Sequence, residues 1–163
     1  PRAMLLLGKR VYMAQKVDPE AGVVVLEKLA VKYPNTYHGK EAIYTIAGYH
    51  KKKSGPEVCE KYLKDNLVIR KKDPMQYHRL AMFAVQYRVA LDWASELLKE
   101  GMELHPRAHF LRKAMMDIRL RQKRYREALE AIREAVRMAP KNGAYQKLLE
   151  TCRRLVKQGS KTR

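Results

Sequence analysis

The chain has 163 residues, a hydrophobic fraction of 46% and a formal net charge of +18 at pH 7. This length and hydrophobic content allow one ordinary domain with a buried core, and they exclude a wholly disordered chain. No apolar run reaches the roughly 20 residues that a membrane-spanning helix needs, so we expect no membrane span.

The predicted elements are all helices. Ala, Leu, Glu, Lys and Arg dominate the composition, glycine and proline are few, and apolar residues recur every three or four positions, which favours an all-α fold of about nine helices. In chain order the helical stretches are 2–15, 19–36, 39–53, 56–67, 75–88, 91–106, 108–122, 125–140 and 142–157. Chain reversals are predicted near Pro34, Ser54-Gly55, Pro74, Arg88–Asp92, Pro106, Gln122–Arg124 and Pro140.

One helical stretch is repeated. "YREALEAIREAVRMAP" (125–140) lies 34 positions after "LDWASELLKEGMELHP" (91–106), with small residues and aliphatic residues in the same register and a proline at the end of each. Ala128 falls on Ala94, and we expect both to be buried where a neighbouring helix approaches closely. The proline cannot continue a helix, so it marks the turn to the next unit.

A 34-residue period of helix pairs is typical of the tetratricopeptide-repeat family, which the chain resembles over nearly its whole length. The match departs from the family pattern at Met115-Met116, where a Leu-Gly pair is usual, and at Gly22 and Cys59, which replace a small alanine. The resemblance implies a right-handed superhelix of antiparallel helix pairs, a TPR-like α-solenoid, forming a single domain. Its expected parts are repeats at about 1–36, 37–73, 74–107 and 108–141, a capping helix at 142–157 and a frayed tail at 159–163, with the domain spanning 1–158.

In such a superhelix the first helix of each pair lines a concave face. The side chains predicted to line it are Lys9, Tyr12, Tyr44, Lys51, Lys52, Arg79, Phe83, Tyr87, Lys113 and Arg121. This cationic and aromatic set suits an acidic or amphipathic segment of a partner protein. An alternative is that Tyr44, Phe83 and Tyr87 belong to the core between repeats. We therefore predict a non-catalytic protein–protein interaction scaffold that acts within a larger assembly.

Binding to RNA or to a ribosome is the alternative function. The runs "KKK" (51–53), "RKK" (70–72) and "RQKRYR" (121–126) could neutralise phosphates, and tyrosines lie between them. However, charge runs at turns are usually solvated loops. Residues 73–106 also carry 3 basic and 5 acidic side chains, a net charge of −2 that would interrupt a continuous phosphate track.

No motif indicates an enzyme, a cofactor or a small-molecule substrate. His105 and His109 have the spacing of helical metal ligands, but Pro106 breaks that helix and no HExxH motif is present, so no metal is expected. Family members that bind a peptide's terminal carboxylate use Lys, Arg and Asn on the first helices. Although Lys9, Arg79 or Lys113 could supply the cations, the chain's three asparagines fall in loops or on second helices, so this mode is not expected.

The two cysteines, Cys59 and Cys152, each fall on the apolar face of a predicted helix and do not form a disulfide framework. This usage favours a reducing compartment, so a cytoplasmic location is predicted. The chain begins at Pro1 rather than at a methionine, which indicates a fragment or a processed form. A cell-envelope or organelle location therefore stays open.

Overall fold

The structure is a computed structural model that describes residues 1–14 and 18–161. Within these residues it contains α-helices, one π-helical segment and no strand, which confirms the predicted all-α class. The elements are α1 (Arg2–Leu6), the π-helical segment π1 (Leu7–Ala14), α2 (Pro19–Lys32), α3 (Tyr37–Lys53), α4 (Pro56–Asn66), α5 (Pro74–Tyr87), α6 (Leu91–Leu104), α7 (His109–Arg121), α8 (Tyr125–Met138) and α9 (Gly143–Lys161).

The helices begin where the sequence supplies a cap. Asp18 accepts a hydrogen bond from the backbone N–H of Ala21 at the start of α2, and the Thr36 hydroxyl accepts one from the N–H of Gly39 at the start of α3. Side chains of this kind satisfy backbone donors that the first helical turn leaves without partners. The predicted starts and turns therefore match the structure to within a few residues.

Apart from α2, which ends at Lys32 rather than at residue 36, the main differences from the predicted boundaries lie at the two ends of the chain. The first predicted helix is divided into α1 and π1, and its predicted last residue, Gln15, lies outside the described residues. The last helix does not end at residue 157 but continues to Lys161. Of the tail that was predicted to fray, residues 162–163 lie outside the described part of the chain.

The contacts divide the chain into two compact units, the N-terminal unit Pro1–Val68 and the C-terminal unit Ile69–Arg163. The core of the N-terminal unit forms where α2 packs against α3. Its fully buried members are Leu26, Leu29, Ala42 and Ile46. Near the end of this unit the buried Lys40 donates a hydrogen bond from Nζ to the carbonyl oxygen of Val68, at 2.7 Å.

The C-terminal unit has its largest core cluster among α7, α8 and α9. The buried members of this cluster are Met116, Ala128, Leu129, Ile132, Ala135, Tyr145, Leu149 and Cys152. Ala128 is fully buried and Ala94, its counterpart on α6, is 1% exposed. The predicted burial of both alanines is therefore confirmed.

Each unit is built from helices that contact their neighbours in the chain. In addition, α5 packs against α7 in the C-terminal unit, and α1 contacts α3 in the N-terminal unit. The first helix of one pair thus lies beside the first helix of the next pair within the same unit. In the described residues no helix combines the length and the apolar character needed to cross a membrane.

Candidate partner-binding surface

The first helices α5 and α7 of the C-terminal unit pack side by side. Asp73 caps α5 by accepting a hydrogen bond from the N–H of Met75 at 3.0 Å, and Pro74 fits the first helical position. The ring of His78 on α5 meets the ring of Phe110 on α7 edge-on, with 5.5 Å between the centroids. This contact fixes how the two helices are rotated relative to each other.

One side of α5 is left accessible beside that ring contact. Met75, Arg79 and Met82 follow each other at intervals of four and three residues and therefore share one helix face. Met75 is 55% exposed, and the other two are half-buried. Because methionine is flexible and polarisable, it suits contacts with apolar groups of varied shape.

The adjoining side of α7 carries two cations, Lys113 and Arg121, and one acidic residue, Asp117. Phe110, Lys113 and Asp117 are half-buried and Arg121 is exposed. Lys113 donates to Asp117 at 2.6 Å, so its charge is already paired within the helix. Burial and the nearby Lys113 lower the pKa of His78, which keeps that imidazole neutral at physiological pH.

These residues form what we call the α5–α7 face. It consists of Met75, His78, Arg79, Met82, Phe110, Lys113 and Arg121. Three of them, Arg79, Lys113 and Arg121, belong to the set predicted from the sequence.

The two other predicted residues of the C-terminal unit are aromatic. Phe83 is 8% exposed and its ring stacks on Tyr87 with 4.4 Å between the centroids. A ring covered to this extent offers little surface to a partner. The burial of Phe83 thus favours the core role that the sequence left open for it.

In the N-terminal unit the predicted residues Lys9 and Tyr44 occupy very different surroundings. Lys9 on π1 is partly exposed and forms an ion pair with Glu41 on α3. Tyr44 is 7% exposed, and burial raises the pKa of its hydroxyl. Its position favours a structural role rather than direct contact with a partner.

The remaining predicted residues of this unit are Tyr12, Lys51 and Lys52. Tyr12 is half-buried, where π1 packs against α2. Lys51 is half-buried and Lys52 is exposed, and both lie in the last turn of α3. Cations are stabilised at that end of a helix by the exposed carbonyl groups, so a structural role is sufficient to explain the pair.

Sequence reasoning missed Met75, His78, Met82 and Phe110. The spacing of Met75, Arg79 and Met82 on one side of a predicted helix was a signal that could have located the methionines. Nothing in the sequence pairs His78 with Phe110, because that contact joins residues of different helix pairs.

The histidines that resemble metal ligands in the sequence lie on separate elements. Nε2 of His105, just after α6, lies 2.6 Å from the carbonyl oxygen of Lys71, and Nδ1 of His109 lies 2.9 Å from the hydroxyl of Tyr145. No group of three or more His, Cys, Asp or Glu side chains that could hold a metal occurs in the described residues. Burial raises the pKa of Cys59 to about 11, so its thiol is protonated and unreactive at neutral pH.

The chain was also compared with known proteins. No model of a protein family matches the sequence, and none of the curated proteins is similar enough to count as a match.

Proposed function

We propose that this chain is a non-catalytic scaffold of stacked helix pairs, of the tetratricopeptide type, that binds an acidic or amphipathic segment of a partner protein within a larger assembly. The pairwise packing supports the repeat architecture, because α5 contacts both its own partner α6 and the first helix of the next pair, α7. The 34-residue register of α6 and α8 supports it independently.

The observation that carries the binding role is the composition of the α5–α7 face. An exposed methionine and a half-buried phenylalanine lie on two adjacent helices beside Arg79, Arg121 and the Lys113–Asp117 ion pair. Apolar anchors supply most of the affinity of a protein interface, and surrounding charges select the partner and speed its association. An amphipathic helix or an extended segment with acidic residues and a few large apolar side chains has the complementary chemistry.

The test uses a displayed library of random peptides that is selected on the intact chain. A face variant, Met75→Glu with Arg121→Glu, removes one exposed apolar side chain and one exposed cation from the α5–α7 face. A matched control, Leu104→Glu with Arg107→Glu, makes equivalent changes at two exposed residues that are not part of this face, one at the end of α6 and one in the turn after it.

We expect the selected peptides to combine acidic and large apolar residues, and to bind the control variant as they bind the unmodified chain. Binding to the face variant should be lost, mainly through faster dissociation. Peptides that lack acidic residues, or that bind both variants equally, would contradict the proposal.

A further inference from the structure

A second surface follows the line where α8 packs against α9. Leu129 on α8 and Leu149 on α9 belong to the same buried cluster, and the ring of Tyr125 lies 3.5 Å from the position that a Cβ at Gly159 would take. The start of α8 therefore meets the end of α9. The two helices run antiparallel.

Cations lie on one side of this line. Arg133 follows Leu129 by four positions, and Arg153 follows Leu149 by four positions. Four residues turn an α-helix by about 40° more than one full turn, so each arginine points about 40° away from its leucine around the helix axis. The direction of this rotation, viewed along each chain from its N-terminus, is the same in both helices. For antiparallel helices, equal rotations of this kind bring both side chains to the same side of the line of contact. Arg133 and Arg153 thus flank the contact together.

Two more cations extend this row. Arg126 precedes Arg133 by seven positions, so the two lie on the same face of α8. Lys157 follows Arg153 by four positions, so these two lie on the same face of α9. We call Arg126, Arg133, Arg153 and Lys157 the α8–α9 rim. All four are exposed, and Arg153 and Lys157 line a shallow depression together with Arg154, Gln158 and Glu150.

The rim cations form no ion pair with an acid among the described residues, although Glu130 on α8 and Glu150 on α9 lie close to them in the sequence. Glu134 pairs with Arg112, and Glu127 pairs with Arg119 and Arg124. The charge runs that the sequence singled out are partly neutralised, although one of them ends at Arg126 of the rim. Within them Lys53 pairs with Glu20, Lys71 with Glu100 and Arg124 with Glu127.

The surroundings of the rim indicate the class of ligand. None of the exposed large hydrophobic side chains lies on α8 or α9, so this surface lacks the apolar anchors of a protein interface. It also lacks the exposed aromatic rings on which the bases of a single strand stack. Exposed arginines and lysines without such neighbours suit the phosphate backbone of a duplex.

We propose that the α8–α9 rim binds the backbone of double-stranded RNA. Readers of B-form DNA insert a protruding helix or ribbon into the major groove, whereas α8 and α9 lie against each other and α8 also packs on α7. The wide, shallow minor groove of an A-form duplex presents phosphates to a surface that does not protrude. This surface is separate from the α5–α7 face and does not depend on its function.

The test measures binding of the intact chain to a labelled RNA duplex across a range of salt concentrations. The rim variant is Arg126→Glu, Arg133→Glu and Arg153→Glu. A charge-matched control, Lys28→Glu, Lys61→Glu and Lys72→Glu, reverses three exposed cations elsewhere. Circular dichroism verifies that both variants remain helical.

We expect the rim variant to lose most of the affinity and to reduce the salt slope by about three units, roughly one for each lost phosphate contact. The control variant should keep the affinity and the salt slope of the unmodified chain. A DNA duplex of the same sequence, single-stranded RNA and polyglutamate should each bind more weakly than the RNA duplex. The proposal is overturned if the unmodified chain does not bind the RNA duplex, if any of these competitors binds as tightly, or if both variants lose affinity equally.

Discussion

The N-terminal and C-terminal units bring their helices close together by different means. In the N-terminal unit the closest approach at a glycine is to backbone: a Cβ at Gly39 would lie 2.0 Å from the carbonyl oxygen of Tyr33, whereas a Cβ at Gly22 would lie 2.6 Å from the side chain of Met13 and 3.0 Å from the carbonyl oxygen of Gly8. Backbone cannot move away from an added side chain without disturbing the hydrogen bonds of its own element.

In the C-terminal unit the glycine on α6, Gly101, closely approaches a side chain. A Cβ at Gly101 would lie 2.8 Å from the ring of Tyr77, which is itself 1% exposed. The residue of α8 that corresponds to Gly101 in the repeat is Ala135, which is fully buried. A glycine is therefore needed on α6, where a large ring is buried against the helix, whereas α8 accommodates an alanine at the same position of the repeat.

The largest loss of stability is expected where Gly39 approaches the carbonyl oxygen of Tyr33. Gly39→Ala should destabilise the N-terminal unit by about 3 kcal/mol, at the upper end of the range for overpacking, because the added methyl group meets a carbonyl oxygen. Denaturant unfolding measures the loss, and the labelling rates of the buried thiols Cys59 and Cys152 show which unit opens.

The matched control for this variant is Gly143→Ala, at a helical glycine with no atom within 4 Å of the added Cβ. It should be neutral or slightly stabilising, because alanine favours the helix. Faster labelling of Cys59 than of Cys152 in Gly39→Ala is expected. A variant as stable as the unmodified chain would show that this backbone approach is not required.

A smaller loss of stability is expected for a larger side chain at the buried Ala128 of α8. Ala128→Leu adds volume at a fully buried position of α8 and should cost about 2 kcal/mol. Thermal unfolding followed by circular dichroism measures it. As a control, Ala144→Leu adds the same side chain at an exposed position of α9 and should change stability little.

The contact between the glycine and the ring should tolerate change better because its neighbour is a side chain. Gly101→Ala should cost about 1 kcal/mol, since the clash with Tyr77 is partly offset by the higher helix propensity of alanine. In a Tyr77→Leu background the same substitution should cost less or be neutral. A double-mutant cycle measures this coupling, and independent effects of the two substitutions would contradict the assigned contact.

The smallest expected effect is an increase in stability. The hydroxyl of Tyr77 is buried without a hydrogen-bond partner in the described residues, and burial of an unpaired polar group destabilises a fold. Tyr77→Phe removes the hydroxyl but keeps the ring, so it should stabilise the C-terminal unit by up to about 1 kcal/mol. Tyr145→Phe is the contrasting control. Its hydroxyl is bonded to His109, so that substitution should destabilise.

The sequence by itself determined the helices. Apolar residues at intervals of three and four, prolines at the turns and capping residues such as Asp18 and Thr36 act within a few positions of one another, so their effect can be read along the chain. The close-packed position of Ala128 followed from the repeated small residue. The all-α class and most helix boundaries follow from these local patterns.

Only the tertiary structure decided which side chains remain exposed. A helical pattern separates an inner face from an outer face, but a helix that contacts several neighbours is covered on more than one side. For that reason Phe83 and Tyr44 are buried, in the core role that the sequence left open beside the binding role, whereas Met75, Met82 and Phe110 were missed.

The pairing of charges depends on tertiary structure for the same reason. Lys53 and Lys71 stand out in the sequence, yet acids far along the chain partner them, while the cations of the α8–α9 rim have no such partner in the described residues. Ion pairs form between whichever side chains the folded backbone brings within a few ångströms of each other. That arrangement is a property of the packed helices and not of the local sequence.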